Sequence, residues 1–150
     1  MNIEQFFSPE IESLTDGYSL IRDFFTEDKK HHGIESILNI RNDGETCTLD
    51  IYVSYEHFYG NNFDFATEMP LGTIRLQFSK VNKCLNPGKN IEGHYMNDIY
   101  FNPIKDTKGN VTGVNFSLVN GYNGSPLFEV EAKSMRLLSF SREKVIPDDI

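Results

Sequence analysis

Apolar and polar residues alternate along the chain from Ile34 onward, and a period of two is typical of a β-strand with one buried face. The first alternating run ends at Arg41 and the second begins at Thr46. Between them stands Asp43-Gly44, a dipeptide that favours a tight two-residue turn because glycine adopts a positive φ without steric cost. The pattern therefore predicts an antiparallel hairpin over residues 33 to 53. Its expected buried side consists of Ile34, Leu38, Ile40, Cys47, Leu49, Ile51, Val53 and Tyr55.

The same alternation returns further along the chain. It covers Thr73 to Ser79, the segment around Ile99 and Phe101, Val114 to Leu118, and Phe128 to Ala132. Met135 to Phe140 either continues the last of these strands past a bulge or starts another. About six or seven strands at this spacing predict a mainly β fold, a single antiparallel meander sheet curled into a sandwich or half-barrel.

Turn residues set the expected limits of these strands. Residues 82 to 94 contain Pro87-Gly88 and Gly93, so we expect a loop there. The strand at Ile99 is expected to end at Asn102-Pro103, because proline cannot donate to a central ladder.

The first thirty residues show a short helical signal instead of alternation. Ser8 followed by Pro9 suits a helix cap and a first helical position, and Ile11 with Leu14 gives an apolar stripe that ends near Gly17. Residues 19 to 26 predict either a second short helix or an edge strand. At 150 residues the chain has the usual size of one domain. We expect a single domain: a helical or irregular segment over 1 to 30, the β meander over 31 to 141, and an acidic tail over 142 to 150.

The net charge of the chain limits the kinds of partner that it is expected to bind. A net charge of −8 makes nucleic acid an unsuitable partner, because phosphate binding needs clustered lysines and arginines. Acidity favours a basic partner at long range, or it only keeps the protein soluble. The N-terminus has Glu4 where an export signal carries basic residues, and no stretch approaches the roughly 20 apolar residues of a membrane span. We expect a cytoplasmic protein with no membrane partner.

Residues able to do chemistry do not form a known motif. The four histidines lack the spacing of a metal site, and no serine or cysteine stands in a nucleophile motif. Cys47 alternates with core residues and is expected in the core, whereas Cys84 is expected in a loop. The sequence therefore predicts no cofactor, no metal and no enzymatic activity.

Two surfaces are candidates for binding a partner. The first is the segment from Tyr55 to Leu71, where aromatic rings stand among acids, as at the centre and rim of protein interfaces. Its candidate contact residues are Glu56, Phe58, Tyr59, Asp64 and Glu68. The alternative is that the loop tucks its rings under the sheet, which we favour for Phe63 and Phe65. The second surface is the exposed strand face that carries Asp50, Tyr52 and Arg75, and its alternative is ordinary solvated sheet.

The order of these features resembles a known family. The run His32 to Arg41, followed by Asn42-Asp43-Gly44 and by Thr46 to Val53, is similar to the opening of a family of bacterial immunity proteins from polymorphic toxin systems, the one numbered fifty. Thr73 to Phe78, the strand around Ile99, and Val114 to Leu118 before Gly121-Tyr-Asn-Gly-Ser and Leu127 to Val130 resemble its later part. The resemblance covers roughly residues 31 to 140.

The resemblance implies a cytoplasmic protein that binds a cognate protein toxin and blocks it. No contact residue can be carried over from the family, because the aromatic segment from Tyr55 to Leu71 and the insert around residues 82 to 94 depart from the family pattern. Many toxins act on nucleic acids and are basic, which suits an acidic inhibitor. An alternative function is a small-molecule or carbohydrate-binding β module with a cavity reached by Tyr55 or Tyr100.

Overall fold

The computed structural model describes the backbone of residues 7–26, 31–56, 58–59, 62–63, 69–85, 98–120 and 124–145. Side chains are described within 7–25, 37, 39–51, 73–85, 99–120 and 124–141. All structural statements below concern these residues.

The chain begins with a short helical segment. A 3-10 helix spans Pro9–Leu14, strand β1 spans Thr15–Asp16, and helix α1 spans Tyr18–Thr26. The eight strands that follow are β2 (His31–Asn42), β3 (Thr46–Glu56), β4 (Phe58–Tyr59), β5 (Asn62–Phe63), β6 (Met69–Leu85), β7 (Asp98–Lys105), β8 (Val111–Val119) and β9 (Pro126–Val145).

The N-terminal helices have clear local causes. Ser8 caps the 3-10 helix by accepting a hydrogen bond from the Glu10 amide at 3.2 Å, and Pro9 stands in the first turn, as predicted. Residues 19 to 26 take the helical alternative, because Ile21, Phe24 and Phe25 lie at helical spacing and are all buried.

Seven strands form one mainly antiparallel sheet in the order β2-β3-β6-β9-β8-β7, with β1 pairing in parallel with β9. The sheet is not closed into a barrel, and the predicted mainly β fold is confirmed. Its strand order consists of two meanders, β2-β3-β6 and β7-β8-β9, which join through β6 and β9. Phe78 of the first meander and Phe116 of the second have ring centroids 5.9 Å apart, so both meanders enclose one core.

The core occupies the inner face of the sheet and the helices that cover it. Of the alternating residues predicted for β3, β6, β7, β8 and β9, those with described side chains are buried there, including Cys47, Leu49, Phe78, Phe116 and Phe128. From the N-terminal segment, Phe7 contacts Phe101 with ring centroids 4.8 Å apart. The burial predicted from the period of two is therefore confirmed for these strands.

The residues of β2 face differently from the prediction, because the strand contains a bulge. Leu38 pairs with Asp50 and Arg41 with Thr48, so β2 has one extra residue, and Asn39 adopts a φ of 53°. The bulge reverses the alternation, which brings Ile37 into the core together with Ile40. The prediction that Leu38 and Ile40 share a simple alternating face is wrong for this reason.

The hairpin turn lies one residue later than predicted. Asn42 pairs with Cys47, and the Asp43 amide donates to the Thr46 carbonyl at 3.1 Å, which leaves Gly44 and Glu45 as the central residues. Gly44 has a φ of 93° and supplies the backbone conformation that was expected. Asp43 instead accepts from the amides of Glu45 and Thr46 at 2.9 and 2.7 Å, so its carboxylate fixes the turn.

Several strands run further than predicted. β7 continues through Pro103 to Lys105, because it is an edge strand and proline is tolerated there. β9 also takes the predicted alternative in which Met135 to Phe140 continues the strand past a bulge. The bulge lies at Leu138, since Leu137 and Ser139 pair with the adjacent residues Leu76 and Arg75. β9 also includes residues 142 to 145, which were expected in the tail.

Cys84 lies in a strand and not in the expected loop. β6 extends to Leu85, and Cys84 pairs with Val130 and packs against the core. Burial raises the pKa of the Cys47 thiol to about 12, and the neighbouring Cys84 thiol contributes to this shift. The rest of the expected loop lies outside the described residues.

Candidate functional site

The outer face of the first meander has a continuous set of polar side chains. They alternate with core residues along β3, β6 and β9, so each strand places them on the side away from the core. We call this surface the polar face and define it by Arg41, Thr48, Asp50, Arg75, Gln77 and Arg136.

Asp50 and Arg75 form the centre of the polar face. They are direct partners across β3 and β6, and the Arg75 guanidinium donates Nε to Asp50 Oδ1 at 2.7 Å and Nη2 to Oδ2 at 3.1 Å. The Asp50 side chain is 6% exposed, whereas the Arg75 side chain is 51% exposed. The expectation that Asp50 lies exposed is therefore wrong. Its carboxylate is buried and holds a half-exposed arginine in a fixed position.

Asn39 completes the surroundings of the Asp50 carboxylate. The Asn39 amide Nδ2 donates to Asp50 Oδ2 at 2.9 Å, so the bulge in β2 aims this side chain at the buried acid. Hydrogen bonds from Arg75 are the first cause, and those from Asn39 a further one, that lower the pKa of Asp50 below its ordinary value. Asp50 is thus a fixed anion that positions its two neighbours.

The next row of the polar face crosses five strands. Arg41, Thr48, Gln77 and Arg136 are successive partners in β2, β3, β6 and β9, and Asp16 of β1 pairs with Arg136. Arg136 donates Nε to Gln77 Oε1 at 2.8 Å, and Gln77 donates Nε2 to Thr48 Oγ1 at 3.4 Å. The row is a chain of hydrogen bonds, which fixes side chains that a solvated sheet leaves mobile.

This row is not among the surfaces predicted from the sequence. The sequence does have polar residues at matching positions of consecutive strands. Recognising them as one row requires the strand register, which the bulge at Asn39 shifts.

The structure describes only part of the aromatic segment. Phe58 pairs with Phe63 and Tyr59 with Asn62, so β4 and β5 form a short antiparallel hairpin that begins two residues after β3 ends at Glu56. Tyr52 lies in β3 and pairs with Thr73. The side chains of Glu56, Phe58, Tyr59 and Tyr52 lie outside the described set, as do Asp64 and Glu68 entirely. Their proposed roles therefore stay predictions.

A second polar cluster lies on the outer face of the sheet and joins β6, β9 and β8. Lys83 Nζ is 2.7 Å from Glu129 Oε1, and the Asn115 amide donates to Glu129 at 2.9 Å and to Glu131 at 3.2 Å. Hydrogen bonding from Lys83 lowers the pKa of Glu129. These carboxylates already have partners, so we read the cluster as a satisfied surface network.

A pocket of about 370 Å³ opens beside β1. It is lined by Ser13, Leu14, Thr15, Asp16, Ser79, Ser134, Met135 and Arg136. Among the described residues, no aromatic side chain lines this pocket. Tyr100 is half-buried and packs against the core, and the side chain of Tyr55 lies outside the described set.

The described residues contain neither a group of metal ligands nor a membrane-spanning helix. No three histidine, cysteine, aspartate or glutamate side chains there lie close enough together to hold a metal ion, and the four histidines have no described side chain. No described helix has the length and apolar character needed to cross a membrane.

The fold and the polar face define a mainly β protein with one ordered polar surface. Comparison of the chain with protein-family models, with curated proteins and with solved structures found no match.

Proposed function

We propose that this chain is a non-enzymatic immunity protein that binds a cognate bacterial toxin, with Arg75 of the polar face as a contact residue. The resemblance in the order of the strands suggests the class, and the presentation of Arg75 supports a binding role. Arginine is enriched among the residues that dominate binding energy in protein interfaces.

Arg75 is suited to this role because its position is already fixed. Both hydrogen bonds to Asp50 come from one edge of the guanidinium, and half of the side chain is exposed. A side chain held before binding loses less conformational freedom when a partner docks, which improves affinity without any added contact. This arrangement is the observation that carries the proposal.

The short hairpin of β4 and β5, which we call the aromatic hairpin, extends the proposed surface along the sequence. Tyr59 and Asp64 follow β3 within a few residues, and β3 also contributes Asp50 and Tyr52. Aromatic residues, an arginine and acids together are the composition of an interface for a basic protein. The net charge of −8 suits the same partner.

The direct test is co-purification with the product of the neighbouring gene, together with protection of cells that express that product. We expect Arg75→Ala to weaken binding about thirtyfold, as for a residue at the centre of an interface. Arg75→Lys keeps the charge beside Asp50 but loses the bidentate geometry, and we expect it to weaken binding too. Lys108→Ala, in an exposed turn, is the matched control and should bind as the unchanged protein does.

The combined change Tyr59→Ala and Asp64→Ala should weaken binding while leaving the melting temperature nearly unchanged. If the double variant lost both its binding and its thermal stability, the segment would belong to the core. If the unchanged chain neither binds nor protects against any neighbouring product, the proposed function is wrong. If it binds but both Arg75 variants match the Lys108 control, Arg75 lies outside the interface.

A further inference from the structure

The pocket beside β1 is lined by residues that carry hydroxyl and guanidinium groups. It lies where the 3-10 helix meets β6 and β9, and Ser13, Ser79 and Ser134 are among the residues that line it. Ser79 and Ser134 are direct partners across β6 and β9. Within the described part of the chain these three side chains have no hydrogen-bond partner, whereas the Thr15 hydroxyl donates to the Ile11 carbonyl at 2.8 Å. The three serines are therefore available as donors.

Arg136 provides the positive charge of the pocket. Its Nε is engaged by Gln77, which fixes the plane of the guanidinium. Among the described residues no carboxylate lies within ion-pair distance of it, although Asp16 is its partner across β1 and β9. Two terminal nitrogens of an immobilised guanidinium are thus open to a ligand, in the geometry that suits an oxyanion.

We propose that this pocket binds a small oxyanion, the carboxylate or phosphate group of a small molecule, between the Arg136 guanidinium and the hydroxyls of Ser79 and Ser134. The site is separate from the Arg75 contact and does not depend on the proposed function. A pocket of about 370 Å³ has room for such a group and the small molecule that bears it.

Asp16 distinguishes this proposal from its nearest competitor. Its carboxylate borders the same pocket and repels an anion, so an oxyanion binds in spite of Asp16. A zwitterionic ligand such as an amino acid needs Asp16 for its ammonium group. Removing the charge of Asp16 therefore strengthens the binding of an oxyanion and weakens that of a zwitterion.

The test is a titration of the full chain with sodium phosphate and, separately, with sodium acetate, at constant ionic strength held with sodium chloride. Backbone amide signals of Ser79 and Ser134 and the Nε–H signal of Arg136 are followed by NMR. We expect saturable shifts, with the lower midpoint identifying phosphate or carboxylate as the preferred group. Glycine, a zwitterion, is the third titrant.

Three variants test which side chains hold the anion. Arg136→Gln should raise the midpoint about tenfold or more, since it removes charge-assisted hydrogen bonds. Lys108→Gln removes one equal charge from a distant turn and should leave the midpoint nearly unchanged, and Asp16→Asn should lower it. The amide spectrum of each variant reports whether it is folded. The proposal is overturned if neither anion gives saturable shifts, if Arg136→Gln and Lys108→Gln behave alike, or if glycine binds and Asp16→Asn abolishes its binding.

Discussion

Single side chains differ in what they contribute according to which face of the sheet they occupy. Leu49 is fully buried and pairs with Leu76, whereas Leu20 of α1 is 52% exposed. We expect Leu49→Ala to lower the free energy of unfolding by about 2 to 5 kcal/mol, because it leaves a cavity. Leu20→Ala is the matched control, and we expect a change within about 0.5 kcal/mol. Urea denaturation measures both, and equal losses would contradict the assigned faces.

Asp50 makes a contribution that depends on pH. Its folded-state pKa is lowered, first by hydrogen bonds from Arg75, below the ordinary value of 3.8. A lowered pKa stabilises the fold at pH values above the unfolded-state pKa, and this stabilisation disappears as the pH falls through the folded-state value. At pH 7 we expect Asp50→Asn to lower the free energy of unfolding by about 1 to 3 kcal/mol.

The difference between Asp50→Asn and the unchanged protein should shrink as the pH falls below about 4. Denaturation curves at several pH values measure it. Comparing the two proteins removes the shared contributions of Asp43, Asp106 and Glu129, whose pKa values are also lowered. Glu12→Gln, on the exposed side of the 3-10 helix, is the control. A difference that stays constant with pH would show that the loss of Asp50 acts through packing.

Among the elements, the junction of β1 and α1 is tightly packed. Gly17 has a φ of 85°, and an added Cβ would lie 2.9 Å from Leu137 Cβ. Gly44 has a similar φ of 93° with open space around it. We expect Gly44→Ala to cost about 1 to 2 kcal/mol through backbone strain alone. Gly17→Ala should cost about 1 to 3 kcal/mol more, because the added methyl group also overpacks against β9.

The pair of glycine variants separates two causes of strain. Urea denaturation of both under one set of conditions gives the difference directly. Similar losses would mean that Leu137 moves aside at little cost, and that the junction is less rigid than its spacing suggests. Gly44→Asn should recover part of the loss of Gly44→Ala, because asparagine tolerates a positive φ.

Element positions followed from the sequence where the period of two was unbroken. Val114 to Leu118 and Phe128 to Ala132 are of this kind, since each inward position is occupied by a core residue. The failures lie where an extra residue or an edge position changes the local rule. Asn39 reverses the alternation in β2, and Pro103 is tolerated because β7 is an edge strand. The bulge at Asn39 and the edge position of β7 depend on pairing with other strands, so the pattern of two does not reveal them.

The candidate site, too, could be predicted from the sequence only in part. The sequence placed Asp50 and Arg75 on one strand face, and the structure joins them in a hydrogen-bonded pair. The burial of Asp50 could not be predicted, because it depends on Asn39, whose side chain reaches the carboxylate only through the bulge. Arg136 was missed because its position depends on the pairing of β6 with β9, strands that lie 40 or more residues apart in sequence.

Over the whole molecule, charge is unevenly distributed. The chain has a net charge of −8, yet Arg41, Arg75 and Arg136 lie on the polar face, and the Asp50 carboxylate that pairs with Arg75 is buried. Long-range attraction follows the net charge, whereas the contact itself depends on the side chains at the surface. The proposed partner should therefore be attracted by acids spread over the molecule and held by Arg75 and the aromatic hairpin.

This separation of attraction from contact predicts two distinct kinetic effects with a basic toxin. Raising the salt concentration from about 15 to about 150 mM should slow association tenfold or more, because screening weakens steering. Arg75→Ala should leave the association rate nearly unchanged and raise the dissociation rate, as truncation of a central contact does. Surface plasmon resonance at several salt concentrations measures both rates. An association rate that rises with salt would mean that the local cations of the polar face outweigh the net charge, and that the partner is acidic.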